Sequence, residues 1–401
     1  MKNDRALHPA MPLRRRLPAR FAPALATGLL LFPSLALAAA DPFEFDFREL
    51  APGVWSGVRE EPYRLPVMGN TTFVITTQGV VVHDGGGVPL MAERLLAKIA
   101  AETDQPVTHV GISHWHGDHH FGIARILEEF PNAEVIAHPF TREAMLGSPI
   151  AYVDRHPTFV ERQQESLQRA VDTGLEADST QVSPARRAIY RQLLEDMQIV
   201  GQEFQRTTVT VPTITVEERL VLHRGEHTIE FRFLGAGNTA GDLVMWLPNE
   251  RIVATGDLVV HPTPYLFNVP PRAWSRTLRH LNDLDYEVLV PGHGQVQRDR
   301  RYVDLLIETA DSIADQRDSL LSDGRTQEEM IEALDFSSVR DRFTGGDPTR
   351  EDRFAAWAEG PFRYAALKAL SGEPMVIIGP RHPDAEPATE AEAEPEPEPE
   401  E

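Results

Sequence analysis

The chain has 401 residues, 41% of them hydrophobic, which is enough for one large domain with insertions or for two ordinary ones. Its formal charge of −22 argues against a nucleic-acid binder, which needs a basic face, and the absence of cysteine excludes both a disulfide scaffold and any thiolate metal ligand. Part of the acidity sits in Asp384–Glu401, nine acids without lysine or arginine among prolines and alanines. Such a segment is too poor in apolar side chains to offset the entropy of ordering, and residues 381–401 are read as a disordered acidic tail.

At the other end, Arg14, Arg15, Arg16 and Arg20 precede the apolar stretch Phe21 to Leu37, and Ala36-Leu37-Ala38 leads into Ala39 and Ala40. A basic region, a short apolar region and a small-residue exit are the parts of a secretory signal, so residues 1–40 are expected to direct the chain to the periplasm or outside the cell. Pro23, Pro33 and the modest length of the run disfavour a spanning helix, and no stable membrane insertion is expected after cleavage. An uncleaved anchor is the alternative.

Short strands are then predicted at Val54–Val58, Thr71–Thr76 and Val80–His83, the last two joined at Gly79 and the last ended by Asp84-Gly85-Gly86-Gly87. Leu90–Ile99 carries a helical stripe through Leu90, Leu95, Leu96 and Ile99. Val107–Ile112 reads as a strand, His120–Phe130 as a helix with Ile123, Ile126 and Leu127 inward, and Glu134–Ala137 as a strand. Strand, helix and strand at this spacing predict α/β layering. From about 141 to 206 strand formers become scarce, and Ala185–Phe204 carries a helical stripe through Ile189, Leu193, Met197 and Val200; this is read as a helical insertion, either surface decoration or a wall of the site. Strands return at Leu220–Leu222, Thr228–Leu234, Leu243–Leu247 and Ile252–Thr255. A helix at Trp274–Leu284, a strand at Glu287–Val290 and a helix at Tyr302–Leu321 follow, and the remainder to about 380 is read as a helical C-terminal extension.

The stretch that carries chemistry is Ser113-His114-Trp115-His116-Gly117-Asp118-His119-His120. Four candidate ligands fall within six residues directly after an apolar strand, where a tight loop can turn several side chains toward one point, with Gly117 expected to relax the backbone. Imidazoles suit zinc, a carboxylate adds charge neutralisation, and the set leaves positions for water, as a catalytic metal requires.

This motif resembles that of the metallo-β-lactamase superfamily, and further segments match in the same order: Asp84 at the end of an early strand, Gly237-Asn238-Thr239-Ala240-Gly241-Asp242, Asp257 in Ala254-Thr255-Gly256-Asp257, and His293 in Pro291-Gly292-His293-Gly294. The resemblance implies an αββα sandwich over 41–296. It implies that His114 and His116 hold one zinc, that Asp118, His119 and His293 hold a second, that Asp257 bridges them, and that a metal-bound hydroxide is the nucleophile. Asp118 and Asp257 would be the catalytic carboxylates; one or two zinc ions are expected, and iron or manganese also suits such a mixed donor set.

One residue departs from the family pattern. Where the third motif normally presents a histidine, this chain has Asn238, a neutral and shorter ligand. Asn238 ligates directly and leaves a weakened first site, or that site is lost, or His261 or His138 substitutes, or the protein is a non-catalytic relative; a weakened but retained site is favoured because His114 and His116 are both present. Tyr265, Phe267 and Trp274 are candidates for an apolar substrate wall, with core packing their more common fate; His83 is read as a core or supporting group, His120 as pointing away in a supporting or surface role, and His223 and His227 look exposed. The function implied is hydrolysis of an ester, lactone, thioester or amide of a small molecule. A β-lactamase and a metal-binding accessory protein without turnover are the alternatives, and the sequence gives no oligomeric state.

Overall fold

The computed structural model describes residues 42–370 apart from 60–66, 148–155, 176–178, 180, 183, 267–268 and 369; the expected signal segment, the acidic tail and Phe267 lie outside the described residues. In chain order the strands are β1 (Asp46–Ala51), β2 (Val54–Val58), β3 (Thr71–Thr76), β4 (Gly79–His83), β5 (Val107–Gly111), β6 (Glu134–Ala137), β7 (Ile214–Thr215), β8 (Arg219–Arg224), β9 (His227–Phe233), β10 (Leu243–Leu247), β11 (Ile252–Ala254) and β12 (Val288–Val290). The helices are α1 (Pro89–Glu102), α2 (Gly117–His120), α3 (Ile123–Glu129), α4 (Pro139–Met145), α5 (His156–Thr173), α6 (Pro184–Arg206), α7 (Pro271–Asn282), α8 (Arg301–Ser322), α9 (Gln327–Ala333), α10 (Ser337–Thr344), α11 (Pro348–Phe354) and α12 (Gly360–Lys368), with a π-helical turn at Ala355–Glu359 joining the last two.

The strands form two sheets, one in the order β1-β2-β3-β4-β5-β6-β7 and one in the order β12-β11-β10-β9-β8. Side-chain alternation builds the layers. In β4, Val81 faces the second sheet while Val80 and Val82 face Leu95, Leu96 and Ile99 of α1 and Ile123 and Ile126 of α3. In β10, Leu243, Met245 and Leu247 face the first sheet while Val244 and Trp246 face Trp274, Leu278 and Leu281 of α7 and the helices beyond. The result is helices, sheet, sheet and helices, an αββα sandwich of the α/β class with its C-terminal helices packed on the second outer face. The helices α4, α5 and α6 lie between β6 and β7, and Val160, Met197 and Val200 from them pack with Phe43, Phe45, Met68, Val88 and Met91.

Several local expectations change. The stretch after Gly117 is two short helices interrupted at Phe121-Gly122, where the Gly122 N–H leaves the helix to donate to Gly86 O at 2.9 Å; a Cβ on Gly122 would meet the Gly85 carbonyl oxygen at 2.3 Å, so this approach requires glycine. Gly117 has another reason than backbone freedom: a Cβ there would lie 2.2 Å from the Phe121 ring. On α6, Met197 and Val200 are buried, but Ile189 is 58% exposed and leaves the apolar stripe. The edge strand β1 alternates too weakly, with Asp46, Arg48 and Glu49, to have been read from sequence; it pairs antiparallel with β2.

Two parallel pairs position the site. β4 runs parallel to β5, and β11 runs parallel to β12. The C-terminal ends of each pair therefore open on one side, the place where α/β sheets present functional loops. Among the described residues no helix is long and apolar enough to cross a membrane. Trp274 anchors α7: it is 1% exposed and its indole N–H donates to the Leu258 carbonyl oxygen at 3.1 Å. Trp274→Ala is expected to lower the unfolding free energy by about 3–5 kcal/mol, measured as a shift in the urea midpoint; a change under about 1 kcal/mol would show that the second helical layer is not anchored there.

Candidate metal centre

The loops that follow β4, β5, β11 and β12 are bonded to one another before any ligand is considered. The Gly85 N–H donates to His119 O at 2.8 Å, Gly69 N–H to Asp118 O at 3.2 Å, Asn70 N–H to Gly292 O at 2.7 Å, and Gly292 N–H to Gly256 O at 2.8 Å. The Leu243 N–H donates to Ser113 O at 2.8 Å and ties the second sheet to the histidine loop. Space is tight: a Cβ on Gly292 would stand 2.1 Å from Asp257 Oδ1, so only glycine lets the His293 loop approach Asp257.

Within this frame the side chains form two donor groups. His114, His116 and Asp257 offer ligand atoms within 4.8 Å of one another, and so do Asp118, His119 and His293. Asp257 lies between them: its Oδ2 is 3.6 Å from His114 Nε2, while its Oδ1 is 3.2 Å from both His119 Nε2 and His293 Nε2. Asp118 Oδ2 is 3.3 Å from His119 Nε2 and 3.1 Å from His293 Nε2. Asn238 Nδ2 donates to Asp257 Oδ2 at 3.1 Å and lies 3.5 Å from His116 Nδ1.

The atoms of these donors themselves fit a divalent cation. His114 Nε2, His119 Nε2 and Asp257 Oδ1 are buried without an aligned hydrogen-bond partner. Buried polar atoms are ordinarily paired, and here the orphans converge. Donor atoms on a tetrahedral zinc at about 2.0–2.1 Å are spaced about 3.3 Å apart, and the contacts at 3.1–3.3 Å around His119 and His293 match that spacing.

Asp84 supports the centre from behind. Its Oδ1 accepts the Ser113 N–H and its Oδ2 accepts the Ser113 hydroxyl, both at 2.8 Å, and Oδ2 is 2.9 Å from His119 Nδ1. A carboxylate on one ring nitrogen fixes the imidazole and leaves its other nitrogen aimed at the donor group. Asp84 has a φ of 64°, a left-handed conformation that aspartate tolerates better than most residues and that recurs at functional sites. Ser113 also contacts His114 Nδ1 at 3.0 Å. Asn70 was not singled out in the sequence: its amide donates to Pro291 O at 2.8 Å and Gly294 O at 2.9 Å, which clamps the turn carrying His293.

The remaining sequence candidates fall elsewhere. His138 packs on Phe233 at 4.4 Å and accepts from Phe140 N–H, and His261 packs on Tyr302 at 4.8 Å; neither joins the two donor groups among the described residues. His120 is buried with Nε2 on Trp115 O at 3.0 Å. His227 is half-buried against Glu250 at 2.6 Å rather than exposed. Trp274 is core rather than substrate wall. Tyr265 is half-buried, its ring is 5.9 Å from that of Trp357 on the π-helical turn, and burial followed by the negative charges of Asp257 and Asp118 pushes its hydroxyl up to about 12, so it stays protonated.

Electrostatics divide the imidazoles. Burial and then the neighbouring His119 and His116 push His114 well below the usual histidine range, so it is neutral. Burial also opposes charge on His293, but Asp257 and Asp118 overcome it and raise it to about 9, and Asp118, Asp257 and Asp84 likewise raise His119 well above its usual value. Without a cation the His119–His293 side therefore holds protons at neutral pH. A group raised on folding contributes stability that is full below its unfolded value of 6.5 and is lost as the pH climbs through its folded value. The chelated protein is expected to lose stability between about pH 6.5 and 9, and the cation-loaded protein to lose less. Urea midpoints across this window check it, and identical pH profiles with and without chelator would contradict the convergence of these groups.

Comparisons with known proteins agree with this geometry. The family model described as the metallo-beta-lactamase superfamily matches residues 64–293. The linear primary-alkylsulfatase of Pseudomonas sp. (strain ATCC 19151) is 23% identical over 284 residues, covering 64% of this chain and 48% of that protein. The atrochrysone carboxyl ACP thioesterase of Cryptosporiopsis sp. (strain 8999) is 26% identical over 89 residues, 22% of this chain and 27% of its own length. The chain thus spans half or less of these curated relatives. Among solved structures, the sec-alkylsulfatase Pisa1 from Pseudomonas sp. superposes with a TM-score of 0.51 at 15% identity, over 81% of this chain and 50% of that one, a likeness of fold. With a family match running through more than half of its length and ending on His293, the chain belongs to the metallo-beta-lactamase superfamily.

Proposed function

We propose that the chain is a metal-dependent hydrolase that cleaves an ester, lactone, thioester or amide of a small molecule, with zinc as the cation. The observation that carries this reading is the pair of donor groups, His114–His116–Asp257 and Asp118–His119–His293, within which His114 Nε2, His119 Nε2 and Asp257 Oδ1 are buried without another hydrogen-bond partner. Asn238 would complete the first group and Asp257 would serve both. A divalent cation held there supplies Lewis acidity and makes coordinated water acidic enough to attack at neutral pH.

The chain's own residues supply the rest. Asp257, 5% exposed, is shut away among imidazoles and keeps one position. Asp118 is 24% exposed at its side chain, so it is the donor carboxylate that reaches solvent; burial opposes its charge, but His119 and His293 overcome it and hold it well below the usual carboxylate range, so it stays ionised and can accept a hydrogen bond that orients an entering water. Tyr265, held protonated, can donate a hydrogen bond to an oxygen that gains charge, and with Trp357 it offers an aromatic wall to the apolar part of a substrate. The names of the relatives, an alkylsulfatase and an ACP thioesterase, support an ester-type bond as target.

The test pairs metal analysis with a panel of carboxylic ester, thioester, sulfate ester and β-lactam substrates. At least one zinc per chain is expected, with turnover on an ester-type member that chelation abolishes. Asp118→Asn should lower kcat by about 10²–10⁴-fold while the protein stays folded. A chain that binds no divalent cation, or a loaded chain silent across the panel, would contradict the proposal, the second result pointing to an accessory protein.

A further inference from the structure

We infer that Asn238 makes the two cation sites unequal, and that its side-chain amide turns over when the His114–His116 site is filled. This rests on the metal-dependent reading above. The amide nitrogen stands 3.1 Å from Asp257 Oδ2 and 3.5 Å from His116 Nδ1, and the same Oδ2 is 3.6 Å from His114 Nε2. One head-group atom of Asn238 therefore occupies a corner of the donor group that His114, His116 and Asp257 form.

The atom at that corner is an N–H donor, which repels a cation. The orientation follows from Asp257: a carboxylate oxygen at hydrogen-bond distance takes the amide NH2 and rejects the amide oxygen. Meanwhile Asn238 Oδ1, in a fully buried residue, has no hydrogen-bond partner. A half-turn about the Cβ–Cγ bond exchanges the two atoms. It places the carbonyl oxygen beside His116 Nδ1 and Asp257 Oδ2, completes the site with a neutral oxygen, and gives up the charge-assisted bond to Asp257.

The other site needs no such rearrangement. Asp118, His119 and His293 already converge with Asp257 Oδ1, and Asp84 already fixes His119. It holds two carboxylates against the one of the first group. The His119–His293 site fills first and tightly, and the His114–His116 site fills second and exchanges more readily.

Calorimetric titration of the chelated full chain with zinc alone tests this. Wild type should bind in two steps whose affinities differ by more than about tenfold. His116→Ala should abolish the weaker step only. Asn238→His, which supplies imidazole and needs no amide rotation, should close the gap by about tenfold or more, and Asn238→Asp should do the same should the histidine variant fail to fold. In 15N-labelled protein the Asn238 side-chain NH2 signals should make their larger shift in the second step, when the bond to Asp257 is given up. Equal affinities in wild type, a gap unmoved in the folded Asn238 variants, loss of the tighter step in His116→Ala, or amide signals whose larger shift comes in the first step would each overturn the inference. Absence of any zinc step would instead overturn the metalloenzyme reading on which it rests.

Discussion

The position of one buried carboxylate governs the site. Asp257 turns its two oxygens to different neighbours, Oδ2 toward His114 and Asn238 and Oδ1 toward His119 and His293. Isolated among apolar atoms such a charge would be very costly, and here four polar side chains share it. Its backbone is held as tightly as its head group. Gly256 has a φ of 51°, Gly292 comes too close for any side chain, and the next carbonyl, Leu258 O, receives the Trp274 indole. The outer helical layer is thereby coupled to the centre, so packing at α7 and the placement of Asp257 stand or fall together.

Parallel pairing explains why remote segments meet there. β4 and β5 in one sheet and β11 and β12 in the other run parallel, so the residues just past each strand, Asp84, His114, Asp257 and His293, emerge on one side. The sandwich core of Val74, Val81, Phe231, Met245 and Ala254 holds the sheets face to face, and the loop hydrogen bonds do the rest. A rigid frame that presents donors before a cation arrives spares the ion the work of ordering the chain.

Much of this was legible in the residues. The dense run from His114 to His119 announces itself because its donors are neighbours in sequence, and the strands beside it carry plain apolar alternation. The αββα layering and the family membership were read from the same segments that the family model covers. What escaped was long-range. Asn70 clamps residues more than two hundred positions away and carries no local signal. For Trp274 the sequence left a substrate wall and the core both open, and the apolar stripe of α7 turns it into the core. Ile189 fits a helical stripe on paper, but its side chain stands exposed. The place of the Asn238 amide, against Asp257 with its oxygen orphaned, depends on distances that no spacing rule supplies.

The central claim is that segments far apart in sequence converge on cations shared through Asp257. Anomalous diffraction from zinc-loaded crystals, recorded on both sides of the zinc edge, addresses it directly. Density peaks on the two sides of the Asp257 carboxylate, one facing His119 and His293 and the other facing His114 and His116, would sustain it. A fully loaded crystal with no peak among these side chains, or with its zinc bound elsewhere, would contradict it.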